Sequence, residues 1–179
     1  VYLCMRVFLC RFASQHLTGF WPIILTEMVR ILAQAKVDLP ADKSDRLQLV
    51  FSVVKLADFL ITLQTDDFQI HQWLLITDTP DATNPASSYM ADSLLDCLAK
   101  FVSECQRELV FEANDSLERA QQRRPLLQMS SVATISTLQP FFATASRAFY
   151  QCDFHATLDW DNINACLLHD LFEPIHTNA

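Results

Sequence analysis

The segment Asp45–Leu63, with the sequence DRLQLVFSVVKLADFLITL, decides the fold class of this chain. Its apolar residues form two rows at helical spacing: Leu47, Val50, Val54, Ala57 and Ile61, then Leu49, Val53, Leu56, Leu60 and Leu63. Apolar residues that recur every three or four positions are typical of an amphipathic α-helix. Two such rows leave one narrow polar strip, made of Gln48, Ser52, Lys55 and Thr62. We therefore predict a helix that is packed on two sides, with this strip, including Lys55, in water.

The composition favours helices for the rest of the chain. Among 179 residues there is one glycine, Gly19, whereas ordinary usage would give roughly a dozen. Tight β-hairpins depend on glycine for their turns, so a sheet-rich fold is disfavoured. The chain is 51% hydrophobic and 19% charged. We predict an all-α fold of stacked antiparallel helical hairpins, an α-solenoid segment of the HEAT or armadillo type, in which each hairpin buries a face on the next.

Other helices are predicted along the chain. Residues 21–35 read as a helix with one narrow polar stripe, and Pro22 suits either its first turn or a kink in a longer helix that starts near Ser14. Ser44 or Asp45 can cap the helix that follows. Further helices are expected at 65–78 (short), 89–111 (outer layer), 135–150 and 159–172.

The expected organisation has three parts. Residues 1–78 would form the N-terminal hairpins, and residues 79–88, which are rich in Pro, Asn and Ser, would form a loop. Residues 89–179 would form a second helical segment. Because the chain is apolar from Val1 onward, we interpret the whole as one continuous helical unit cut from a larger protein.

Charge and motif content exclude several functions. A net charge of −8 argues against nucleic-acid binding, which needs a surplus of Lys and Arg. The longest uncharged run, 125–146, is too polar to insert into a bilayer, so we expect a soluble chain. Six cysteines within helical runs indicate a reducing, cytosolic setting rather than a disulfide framework. The sequence has no Gly-x-Ser-x-Gly turn and no phosphate loop, so we expect neither enzyme activity nor a cofactor.

Three blocks resemble the C-terminal region of the Dopey family. They are RVFLCRF at 6–12 leading into WPIILTEMVRIL at 21–32, DDFQIHQWLLITD at 66–78, and TLQPFFATASR at 137–147. All three occur in the family's order. One departure is Ala13-Ser14, where the family commonly has Ser-Pro before the His-Leu pair, so the helix start there is expected to differ locally.

The resemblance implies a non-catalytic scaffold or adaptor. It implies a segment near the C-terminus of a very large helical-repeat protein that acts in Golgi-to-endosome vesicular protein transport. Such a protein would be a peripheral membrane protein on the cytosolic face of the Golgi, the trans-Golgi network and endosomes. Its implied partners are a Mon2-like scaffold and a P4-type flippase. The alternative is a generic cytosolic helical-repeat adaptor outside membrane traffic.

The sequence contains one candidate metal site. Cys152 and His155, and then Cys166 and His169, are each spaced three apart, and ligands with that spacing share a helix face. Together they could complete a zinc site of two cysteines and two histidines. Cys and His also fill helix faces in ordinary packing, and this second interpretation is the preferred one, with no metal expected.

A basic group and an aromatic group complete the candidates. Anionic lipid or an acidic partner could contact Arg107, Arg119, Arg123 and Arg124, although nearby glutamates favour a solvated face paired at helical spacing. The Trp-Pro motif and the large aromatics are interpreted as core and motif residues rather than interface anchors: Trp21, Pro22, Phe68, Trp73, Phe141, Phe142 and Trp160.

Overall fold

A computed structural model describes residues 1–63, 65–71, 129–139, 141–142 and 159–172, together with 95, 98, 102 and 145. Its α-helices are α1 (Tyr2–Arg11), α2 (Trp21–Val37), α3 (Asp45–Leu63), the short α4 (Asp66–Gln69) and α5 (Trp160–Phe172). Three 3-10 turns accompany them: Ser14–His16, Thr18–Phe20 and Ile135–Leu138. The described part of the chain contains no strand. The all-α class is thus confirmed, while the stacking of hairpins into a solenoid stays a prediction.

Helix α3 lies at the centre of the core. Every residue from 53 to 61 is buried, and both α1 and α2 pack against this helix. On another side of α3, Phe59 joins a cluster with Ile163 and Leu167 of α5. Packing on two sides is confirmed. One member of the predicted apolar rows differs, since Leu49 is 42% exposed.

Local chemistry fixes where the helices begin. The backbone N–H of Leu47 donates to Ser44 Oγ at 3.1 Å, so Ser44 caps α3 as predicted. Asp159 caps α5 in the same way, accepting from the N–H of Asn162 at 3.1 Å. Pro22 lies in the first turn of α2, where a missing N–H costs nothing. The longer kinked helix from Ser14 is wrong, because 3-10 turns precede Trp21.

Three of the five described aromatic residues that the sequence predicts as core residues are buried. Trp21 and Phe68 are buried with ring centroids 6.5 Å apart, and Phe142 is buried beside the half-buried Phe141. The core assignment is wrong for Trp160, which is 46% exposed in the first turn of α5. Pro22 is also exposed. Both residues lie in the first turn of a helix, and Pro22 directly follows the buried Trp21.

Some predictions fall elsewhere in the chain. The 79–88 loop, Trp73 and most of the 89–111 helix lie outside the described residues, so the division into three parts stays a prediction. Within 89–111, Leu95, Leu98 and Val102 are buried at helical spacing. The segment predicted as a helix from 135 begins as a 3-10 turn, Ile135–Leu138.

Candidate functional site

Three charged side chains from distant parts of the sequence meet inside the protein. Arg6 Nη1 donates to Asp170 Oδ2 at 2.6 Å. Lys55 Nζ donates to Asp170 Oδ1 and Oδ2 at 2.7 and 2.6 Å. The same ammonium donates to the Met129 carbonyl at 2.6 Å. We call Arg6, Lys55 and Asp170 the ionic cluster, which links α1, α3 and α5.

The ionic cluster is removed from water. The exposed fractions of the side chains of Arg6, Lys55 and Asp170 are 5%, 3% and 8%. Burial of a charge is costly unless it is paired and hydrogen-bonded. Burial accordingly lowers the pKa of Lys55, and the bonds to Asp170 oppose that shift. Two formal cations share one carboxylate, so the ionic cluster has a net formal charge of +1.

The prediction that Lys55 faces water is wrong. The residue lies on the polar strip of α3, as the pattern indicated, but α5 and residue 129 cover that strip. Because α5 supplies the carboxylate of Asp170, the ammonium is buried without losing its partners. The Phe51 ring adds a cation–π contact, with Lys55 Nζ 5.4 Å from its centroid.

One donor of the ionic cluster is unused. Arg6 Nε is buried and has no hydrogen-bond partner among the described residues. A buried N–H without an acceptor costs about 1–3 kcal/mol. Arg6 is therefore the member of the ionic cluster that keeps a buried, unused donor.

The ionic cluster forms the deep end of a cleft between α1, α2 and α3. The cleft has a volume of about 630 Å³. Its walls are mainly apolar and include Ile23, Ile24, Ile31, Leu49 and Phe51. At the rim, an ion pair of Arg30 and Glu27 measures 2.7 Å. We call this space the cleft; it offers apolar contact near the surface and charge at depth.

A second, smaller depression is wholly different in character. It encloses about 410 Å³ and is lined by Met5, Phe8, Phe12, His16, Leu17 and Phe20. The rings of Phe8 and Phe12 meet edge to face with centroids 5.2 Å apart. Phe8, Phe12 and Phe20 are exposed. We call this depression the aromatic pocket; its chemistry suits an apolar side chain of another protein.

The candidate zinc ligands are only half described. Cys166 is buried on α5, where Sγ contacts Asn162 Oδ1 at 3.8 Å, and burial raises its pKa. His169 lies 3.5 Å from the Ser130 hydroxyl. Cys152 and His155 lie outside the described residues, as do Arg107, Arg119, Arg123 and Arg124. Within the described ranges, no group of three or more His, Cys, Asp or Glu side chains could hold a metal.

Sequence reasoning missed the ionic cluster. A usable signal existed, since Arg6 and Lys55 each interrupt a strongly apolar helix. Nothing in the order of residues pairs either of them with Asp170, which is 164 positions beyond Arg6.

Among the described residues, none of the helices has the length and hydrophobicity that a transmembrane helix needs.

The fold and its surface features define an all-α protein with a charged cleft and a separate aromatic pocket. Comparison with known families places it further: residues 1–155 match the family described as DOP1 C-terminal, and the chain belongs to this family. The resemblance of the three sequence blocks to the Dopey family is thereby confirmed.

Individual relatives agree with this placement. The chain is similar to Protein DOP1B of Xenopus laevis, with 24% identity over 83% of the chain, and to Protein DOP1B of Mus musculus, with 28% identity over 83%. It is also similar to Protein pad-1 of Caenorhabditis elegans, with 30% identity over 58% of the chain. The chain spans 8%, 8% and 5% of the lengths of these relatives. No solved structure matches it.

Proposed function

We propose that the chain is a non-catalytic scaffold segment of a Dopey-like protein that acts in Golgi-to-endosome vesicular transport. Membership in the DOP1 C-terminal family supports this proposal, together with the transport role that the Dopey resemblance implies. The observation that carries it is the aromatic pocket, because a scaffold binds through exposed apolar surface. Aromatic side chains in such surfaces contribute a large share of protein–protein binding energy.

The proposed partner is a Mon2-like scaffold, with a P4-type flippase as a further one. The proposed location is the cytosolic face of the Golgi, trans-Golgi network and endosomes. Arg107, Arg119, Arg123 and Arg124 are proposed to contact anionic lipid or an acidic partner. No reaction is proposed for the ionic cluster: it holds helices together, and its one carboxylate is bonded to two cations.

Two changes on α1 test the proposal. In the intact protein, Phe8→Asp with Phe12→Asp places charge in the aromatic pocket while the buried core is left unchanged. We expect recovery of a Mon2-like partner in co-purification to fall at least about tenfold, since loss of an aromatic hot spot costs about 2 kcal/mol or more. The matched control is Leu168→Asp with Leu171→Asp on the exposed side of α5.

The outcomes separate the candidate functions. Loss of the partner and of Golgi and endosome staining with the α1 pair alone supports the scaffold proposal. Equal recovery with both pairs contradicts the assignment to the aromatic pocket. A wild-type protein that is diffuse in the cytosol and binds no Mon2-like partner would instead support a generic helical adaptor.

A further inference from the structure

The charge balance of the cleft is incomplete. The ionic cluster contains two cations and one carboxylate, all with side chains at most 8% exposed. Of the ionic groups that line the cleft on its three helices, the remaining pair, Glu27 and Arg30, is bonded to itself at the rim. One positive charge at the deep end therefore has no counter-ion among the described residues that line the cleft.

The shape of Arg6 indicates which ligand group would fit. A guanidinium offers several N–H donors in a planar fork that matches the two oxygens of a carboxylate. Asp170 accepts from the Nη1 donor, and the buried Nε has no acceptor among the residues that the structure describes. An anion that reaches Nε would satisfy this donor and also balance the charge.

The rest of the cleft has mainly apolar walls, which suit a ligand with an apolar chain. Its volume of about 630 Å³ lies within the range of ordinary small-molecule sites, about 300–1,000 Å³. Polar groups on the α3 wall are already bonded: Gln48 Nε2 donates to the Val132 carbonyl at 2.7 Å, and Ser52 Oγ donates to the Gln48 carbonyl at 2.9 Å. Specific polar recognition is thus concentrated at the deep end.

We propose that the cleft binds a small amphiphile with one carboxylate head group, which meets Arg6 beside Lys55 while the apolar chain lies between Ile23, Ile31 and Leu49. A single negative charge on the ligand would balance the net formal charge of +1 on the ionic cluster. A phosphate monoester would carry a second charge into the same buried position, where Asp170 repels it. None of these contact residues lines the aromatic pocket, so the site stands independently of the scaffold proposal.

Calorimetric titration of the chain with decanoate, below its critical micelle concentration, tests the site. Arg6→Gln removes the proposed head-group contact. Ile23→Asp places a negative charge at the mouth of the cleft, on a side chain that is 65% exposed and so is not needed for folding. Leu168→Asp makes the same kind of change on the exposed surface of α5, away from the cleft.

We expect decanoate to bind the wild type and Leu168→Asp equally, and to bind Arg6→Gln and Ile23→Asp at least about tenfold more weakly, as loss of a hydrogen bond to a charged group predicts. Thermal melts establish that each variant is folded, and Ile23→Asp alone decides the result if Arg6→Gln unfolds. Failure of wild-type binding, or equal binding to Ile23→Asp and wild type, overturns the site.

Three further ligands define the chemistry. Decyltrimethylammonium and acetate should bind at least about tenfold more weakly than decanoate, because the first lacks the negative charge and the second lacks the apolar chain. Equal binding of the cation would overturn the anion site. Equal binding of acetate would overturn the proposal that an apolar chain of the ligand binds in the cleft. Tighter binding of decyl phosphate would overturn the proposal that the head group is a carboxylate.

Discussion

Lys55 is a buried charged residue in α3, the helix at the centre of the core, and its surroundings explain why it is tolerated. Its ammonium donates to both oxygens of Asp170 and to a backbone carbonyl, so every expected donor direction has an acceptor. Such a buried pair stabilises little compared with apolar side chains of the same size, but removal of one partner is strongly destabilising. Lys55 therefore fixes how α3 and α5 pack against each other, and it adds little to the total unfolding free energy.

The lowered pKa of Lys55 predicts a pH dependence. Burial moves this pKa below its ordinary value of 10.5, so in the window between the two values the unfolded chain holds the proton that the folded chain has lost. The unfolding free energy contributed by Lys55 therefore rises with pH across this window, by at most about 1.4 kcal/mol per pH unit.

Urea denaturation of wild type and Lys55→Met measures this dependence. The unfolding free energy of the wild type minus that of Lys55→Met should increase as pH rises toward 10.5. Lys36→Met, at an exposed position near the end of α2, is the matched control. A Lys55 difference that stays flat or falls over this range contradicts the predicted direction.

The limits of prediction from sequence are clearest for the same residue. Periodicity located Lys55 on the correct strip of α3, because that strip depends only on helix geometry. Its burial depends on α5, whose Asp170 is 115 residues away, and no local pattern contains that information. The cleft was missed for the same reason, since Arg6 and Asp170 acquire their roles only when three helices meet.

At the scale of the element, α3 is the most predictable part of the fold. Its start at Ser44 and its two-sided packing follow from capping chemistry and from the two apolar rows. Leu49 departs because it faces the cleft, which a helical pattern alone cannot distinguish from a packed neighbour. The 3-10 turns before α2 were likewise unpredicted, because several turn geometries suit the residues around Gly19.

A pair of identical substitutions within α3 tests this packing. Leu56 is fully buried, so Leu56→Ala should lower the unfolding free energy by about 2–5 kcal/mol through lost burial and a residual cavity. Leu49→Ala removes the same atoms from an exposed side chain and should cost about 1 kcal/mol or less.

Chemical denaturation gives both values. Since the two positions share one helix and one substitution, helix propensity cancels in the comparison. Equal losses at the two sites would mean that the cleft wall is as tightly packed as the core.

At the scale of the whole molecule, the ionic cluster joins the two ends of the described chain. Arg6 and Asp170 are separated by 164 positions, and Phe59 of α3 packs beside Ile163 of α5 in the same region. Stability of α1 should therefore depend on α5. Asp170→Asn tests this, because it leaves two buried cations without their carboxylate, a change that costs about 3–5 kcal/mol in comparable cases.

Amide hydrogen exchange shows which helices are destabilised by Asp170→Asn. We expect the amides of α1, Tyr2–Arg11, to exchange faster in Asp170→Asn than in wild type, together with those of α5. Asp161→Asn, on an exposed position of α5, should leave α1 unchanged. An increase confined to α5 would mean that the cluster does not couple the two helices.

The distance between Arg6 and Asp170 along the chain also matters during synthesis on the ribosome. At about 5–20 residues per second, the 164 residues that separate them take roughly 8–33 seconds to translate. Throughout that interval, Arg6 of α1 lacks the carboxylate that it pairs with in the folded protein. The ionic cluster can therefore form only after α1, α2 and α3 have been synthesised.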